Sequence, residues 1–125
     1  SDLADKGVSL GEGAEVIIED MVVTRPYFGV ASKDGSRALV RNITITQPAL
    51  AGLAAFTKKP EFGPASLTAY DIKFIDTERP TLVQTGNWLD LDGKRIWGTT
   101  VDVTEIYLKF EKQVNARRGI IKSTP

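Results

Sequence analysis

Six side chains in two short stretches offer this sequence its densest chemistry: Lys33, Asp34 and Arg37, then Lys58, Lys59 and Glu61. A carboxylate can accept a proton from a carbon next to a substrate carboxylate. Cations beside it then neutralise the enolate that forms, which is lyase-type chemistry on an acidic polymer. A plainer reading carries more weight. Lys33-Asp34-Gly35-Ser36 has the composition of a solvated turn, and surface lysines keep a protein soluble.

The other candidates are sparser. Glu12 and Asp34 occupy one position of a repeat described below, but calcium needs six or more oxygens and no dense Asp-x-Asp run supplies them. Asp90-Leu91-Asp92 comes nearest, and Asp92-Gly93 reads more simply as a turn. No metal and no cofactor is therefore expected. Phe28, Phe56, Tyr70, Trp88 and Trp97 could stack on sugar rings or fill the core. Gly11-Glu12-Gly13 lacks the Lys-Ser/Thr of a phosphate loop.

Composition excludes whole classes of activity. The chain has His 0 and Cys 0, so it has no imidazole base, thiol nucleophile, disulfide or Cys/His zinc site. Sixteen Lys and Arg against sixteen Asp and Glu leave a net charge of +0, which argues against nucleic acid despite Arg117-Arg118. A chain of 125 residues allows one domain. No apolar run in it approaches a membrane span, which takes about 20 residues. The opening Ser-Asp-Leu-Ala-Asp-Lys lacks a signal-peptide layout, and a chain without an initiating Met is expected to be processed or excised.

The elements that must position these groups come from an internal repeat. Gly7-Val8 through Val16 aligns without a gap on Gly29-Val30 through Ala38. The alignment continues as apolar-x-apolar-x-Asx-x-x-apolar: Val16-Ile18-Asp20-Val23, then Ala38-Val40-Asn42-Ile45, then Leu67-Ala69-Asp71-Phe74. A fourth copy, Leu89-Leu91-Gly93-Ile96, has Gly in place of the acid or amide, and the opening recurs as Gly52-Leu53. Lys58 to Pro64 form a loop inserted in the third copy. Period-2 apolar runs predict half-buried strands, with Ile18 and Val40 both facing inward, where a charge would abolish folding. The three-residue step after each Asx predicts a corner, with the Asx satisfying local backbone or its stacked equivalent.

On these residues the sequence resembles the right-handed parallel β-helix family over residues 7–96. More narrowly it looks like short β-helical segments of bacterial surface proteins, some with CotH-like kinase or lamin-tail modules. The resemblance implies an all-β fold of about four coils over residues 1–97, with a cap or tail over 98–125 that could serve oligomerisation. An uncapped end exposes strand edges, so self-association or the rest of a longer parent chain is expected to cover it.

The stretch after Thr104 reads two ways. As a helix, the favoured reading, Thr104 is the N-cap, Ile106, Phe110 and Val114 share a face, and Gly119 stops it. As a strand, Ile106, Leu108 and Phe110 alternate inward. The repeats are complete as structure, while no constellation is complete as chemistry. The expectation is a non-catalytic module, structural or carbohydrate-facing, in an extracellular or cell-surface bacterial protein. The alternative is a fragment of a polysaccharide lyase or hydrolase whose groove holds the six charged residues.

Overall fold

The computed structural model describes residues 7–109. In chain order the strands are β1 Val8–Leu10, β2 Glu15–Thr24, β3 Phe28–Lys33, β4 Arg37–Thr46, β5 Ala51–Phe56, β6 Ser66–Ile75, β7 Thr81–Val83, β8 Trp88–Leu91 and β9 Lys94–Trp97. They divide into two sheets, β1-β3-β5-β7 and β2-β4-β6-β8-β9, so successive strands alternate between the sheets until β8. Every pairing is parallel except β8 with β9.

The repeat alignment becomes strand register. Val16 pairs with Ala38, Ala38 with Leu67, and Leu67 with Leu89. Inner-face residues of both sheets meet in one core, with Val30 and Leu53 opposite Val40, Ile43, Ile45 and Leu67, all at 0% exposure. Each such side chain contributes about 1.5–3 kcal/mol by leaving water. The recurring glycine openings have a packing cause. A Cβ on Gly29 would lie 2.5 Å from Ile45 Cδ1, and one on Gly52 would lie 2.5 Å from Phe74 Cε1.

Corners fall where the Asx positions predict them. Asp20, Asn42 and Asp71 adopt φ of 58°, 55° and 55°. This is a left-handed backbone that Asn and Asp tolerate better than other side chains. Asn42 Nδ2 donates to Asp20 Oδ1 at 2.7 Å, linking two corners across the stack. A tighter turn joins β3 to β4 with positive φ at Asp34 and Gly35. A Cβ on Gly35 would meet Phe62 O at 2.2 Å, so the site takes only glycine.

The expectation of a four-coil right-handed parallel β-helix is corrected to an all-β arrangement of two separate sheets. The fourth repeat fails for a local reason. Asp92 and Gly93 both take positive φ, 48° and 82°. With β8 ending at Leu91 and β9 starting at Lys94, these two positive angles make a two-residue hairpin turn. Ile96 therefore folds back beside Leu89 in an antiparallel pair.

Residues 103–109 form a helix, α1, as favoured, but Thr104 is not its cap. Asp102 takes that role: its Oδ1 accepts from the Glu105 N–H at 3.0 Å. Phe110, Val114 and Gly119 lie outside the described residues. α1 covers the outer face of the first sheet, where Tyr107 meets Phe28 and Phe56 edge-on at 6.1 and 6.2 Å. No helix among the described residues is long and apolar enough to cross a membrane.

Candidate functional site

The charged corner named by the sequence does assemble in part. β3 ends at Lys33 and β5 at Phe56, neighbours in one sheet, so the turn after β3 lies beside the insertion after β5. Asp34 is buried there, and its Oδ1 accepts the backbone N–H groups of Lys58 and Lys59, both at 2.7 Å. This carboxylate holds the insertion in place, as a cap holds a helix start. Its repeat equivalent, Glu12, pairs instead with the Lys59 ammonium. That contact raises the Lys59 amine, chiefly through its hydrogen bond.

Burial lowers the Lys33 amine, and the neighbouring Lys58 charge adds to the effect against the opposing pull of Asp34. Lys58 Nζ sits 4.7 Å over the ring of Tyr107, whose phenol is pushed up by burial and then by the Asp34 charge. Glu61 stands exposed on the short 3₁₀ turn Pro60–Phe62. Arg37 leaves the group altogether and pairs with Glu15 on the outer face of the second sheet. The corner is thus a braced loop anchor with two lysines crowded beside it.

The outer face of the second sheet gathers a different set. Its first rung aligns Glu15, Arg37, Ser66, Trp88 and Trp97, and the next aligns Ile17, Leu39, Thr68, Asp90 and Arg95. A third aligns Glu19, Arg41 and Tyr70, with Arg41 paired to Glu19. Trp88 and Trp97 stand directly opposite each other in the hairpin. Arg95 lies 5.6 Å from the Trp88 ring centre and 5.2 Å from that of Trp97. Its guanidinium binds Asp90 in a fork, Nε at 2.8 Å and Nη2 at 3.0 Å. That fork holds the Asp90 carboxyl below the usual carboxylate range. Trp97 is 65% exposed and Tyr70 is 42% exposed, so aromatic faces are open to solvent beside fixed donors and acceptors.

Of the aromatic residues proposed from sequence as sugar platforms, Tyr70, Trp88 and Trp97 lie on this face. Phe28 and Phe56 are core, because the first sheet is covered on both sides. Arg95 was missed. The signal for it was Asp92-Gly93: a two-residue hairpin turn there places residue 95 across from 90 and 97 across from 88. Among the described residues no three carboxylates are grouped to hold a metal ion. Asp90 and Asp92 diverge, since Asp92 Oδ1 turns to accept the Asp71 N–H at 3.1 Å. An open cleft of about 520 Å³ adjoins Trp97 between β7, β9 and α1, with Leu82, Thr99 and Ile106 in its walls.

No family model, curated protein or solved structure matches this chain. The resemblance to the parallel β-helix family, and to its bacterial surface members, is therefore withdrawn. It rested on a repeat that the second sheet abandons at its antiparallel β8–β9 hairpin.

Proposed function

We propose that this chain is a non-catalytic module whose second sheet faces carbohydrate, in an extracellular or cell-surface protein. One observation carries the reading: Trp88, Arg95 and Trp97, braced by Asp90, form an aromatic surface on a regular sheet face. Sugar rings present apolar C–H faces that pack on aromatic rings, and hydroxyls that bond to carboxylates and guanidinium groups. Neighbouring strands about 4.8 Å apart offer such groups to a linear polymer running across them at a spacing close to one sugar ring. A strand-supplying partner at the open end of the sheets, a second copy or a further part of a longer chain, belongs to the same reading.

Both tryptophans of the chain lie on this surface, so intrinsic fluorescence reports on it directly. Titration with a panel of neutral and acidic polysaccharides should shift the emission. Trp97→Ala should weaken binding by about 1.4 kcal/mol, a factor of ten, without changing the melt. A panel that leaves the emission unmoved at millimolar sugar would end the proposal. The lysine corner supports the second reading, a lyase fragment, through one observation: Lys33 is lowered and stands beside Lys58. Release of unsaturated products from an acidic polysaccharide, abolished in Lys33→Met, would establish it instead.

A further inference from the structure

The two ends of the second sheet are built differently, and one of them asks for a partner. At the far end the chain blunts itself: β8 is covered by the hairpin strand β9. The matching end of the first sheet is closed by Thr99, which donates to Val83 O and accepts from the Thr85 N–H, each at 2.9 Å. At the near end β2 is a ten-residue strand whose one strand partner among the described residues is β4. Alternate N–H and C=O groups of a parallel strand point to each side, so half of those of β2 face outward from the sheet edge.

The side chains say what kind of strand fits. Three side-chain contacts join β2 to β4, and in every one the acceptor is on β2: Glu15 with Arg37, Glu19 with Arg41, and Asp20 with Asn42. β2 carries no cation. Its inner residues Val16 and Ile18 are half-buried, while Ala38 and Val40 at the same rungs of β4 are buried. Ile17 and Val22 are 69% and 72% exposed. From Glu15 to Asp20 the edge thus has outward-facing backbone, two half-buried core residues and acceptors on three rungs, while Val23 further along is buried.

We propose that the edge of β2 along Glu15 to Asp20, where β4 is the one strand partner among the described residues, docks one further parallel strand that carries donors: cations at the rungs of Glu15 and Glu19 and an amide at the rung of Asp20. Each of these carboxylates would then be shared between cations or amides on both sides. A second copy of the chain is a poor source among its described residues, because its own strand of this kind, β4, is enclosed between β2 and β6. Symmetric pairing of β2 with β2 would bring acids together. The inference rests on the strand-supplying partner of the reading above and names its chemistry, and it is independent of sugar binding.

The test is hydrogen–deuterium exchange of the full chain with a synthetic peptide of the β4 sequence, Arg37 to Thr46. The expected result is at least tenfold slower exchange confined to β2 amides, weakening with salt. A peptide carrying Arg37→Glu and Arg41→Glu should give no protection to the wild-type chain. Equal protection by both peptides, or by neither, overturns the proposal. Protection of β2 that rises with protein concentration alone assigns the edge to a second copy and overturns it too. The Glu15→Lys/Glu19→Lys chain, if folded by circular dichroism, should reverse the peptide preference, and an unchanged preference counts against the charge argument.

Discussion

The two sheets are made by one repeat and do opposite things. The first is short-stranded and closed on both faces, by the second sheet on one side and by α1 with Val101 and Val103 on the other. Its central strands reduce to small or fully enclosed residues, Ala51-Gly52-Leu53-Ala54-Ala55-Phe56 being buried throughout. That is the continuous apolar run of a strand covered twice. The second sheet alternates up to each Asx corner, Arg37 out and Ala38 in, Leu39 out and Val40 in, because one face meets the core and the other meets water. Among the described residues the first sheet is enclosed and the second leaves one face open.

The largest break in this comparison is a charge between the sheets. Val40 is 0% exposed. Val40→Asp places an unpaired carboxylate there, which costs several kcal/mol against a total stability of about 5–15 kcal/mol. No cooperative urea transition is expected. Ile18→Asp, expected from sequence to be equally severe, should leave a folded protein with a lowered midpoint. Ile18 sits at the open end, where water reaches it. Equal losses for the two variants would show that the edge of β2 is covered in solution.

Next in size is a matched pair of aromatic deletions. Phe56→Ala empties a site enclosed by Phe28, Tyr107 and the small residues of the first sheet. It should cost about 3–5 kcal/mol in urea melts. Tyr70→Ala, on the outer face of the second sheet, should stay within about 0.5 kcal/mol. If Tyr70 proved as costly as Phe56, the outer face would be core to some further structure. Smaller than the Phe56 loss is that of Asp34→Ala, which leaves the Lys58 and Lys59 amides without their acceptor. Its cost should be about 1–3 kcal/mol. Asp34→Asn, which keeps an oxygen acceptor, should recover most of that loss.

Much of this was legible in the sequence because a parallel ladder at fixed register repeats its requirements. Stacking Val16, Ala38, Leu67 and Leu89 demands apolar residues at one interval, and left-handed corners demand Asp20, Asn42 and Asp71 at another. The aromatic platform was only half legible. Tyr70, Trp88 and Trp97 could be named, but their separation from Phe28 and Phe56 depends on which sheet face α1 covers, a contact between distant segments that periodicity does not encode. Arg95 was hidden by the repeat itself. Asp92-Gly93 was legible as a turn, but Gly93 falls where the fourth Asx should stand, and fitting it to that corner concealed that the turn makes a hairpin. The lysine corner was legible as a cluster but not in its role. Nothing in Lys33-Asp34-Gly35 says that the carboxylate turns inward to hold backbone amides 24 and 25 residues away.

The smallest expected effect concerns the brace between Asp90 and Arg95, and it sharpens the comparison by asking whether the outer face is pre-formed. The Arg95 hydrogen bond depresses the Asp90 pKa in the folded chain. The unfolded chain has the ordinary value of about 3.9. A depressed carboxylate stabilises the fold fully above that ordinary value. The contribution is lost only as pH falls through the lower, folded pKa. Tryptophan emission should therefore stay flat from pH 7 to about 4.5. It should then change below the ordinary carboxylate range, as protonated Asp90 releases a guanidinium that touches both indoles. The pair is solvent-exposed, so little stability follows it, and far-UV circular dichroism should remain constant through the step. Asp90→Asn should abolish the acid step in emission and leave the melt at neutral pH almost unchanged. A step at or above the ordinary carboxylate value, or one that survives in Asp90→Asn, would mean that Asp90 does not set the Trp88–Arg95–Trp97 geometry. A sugar would then meet a loose pair of rings rather than a braced platform, and would bind correspondingly more weakly.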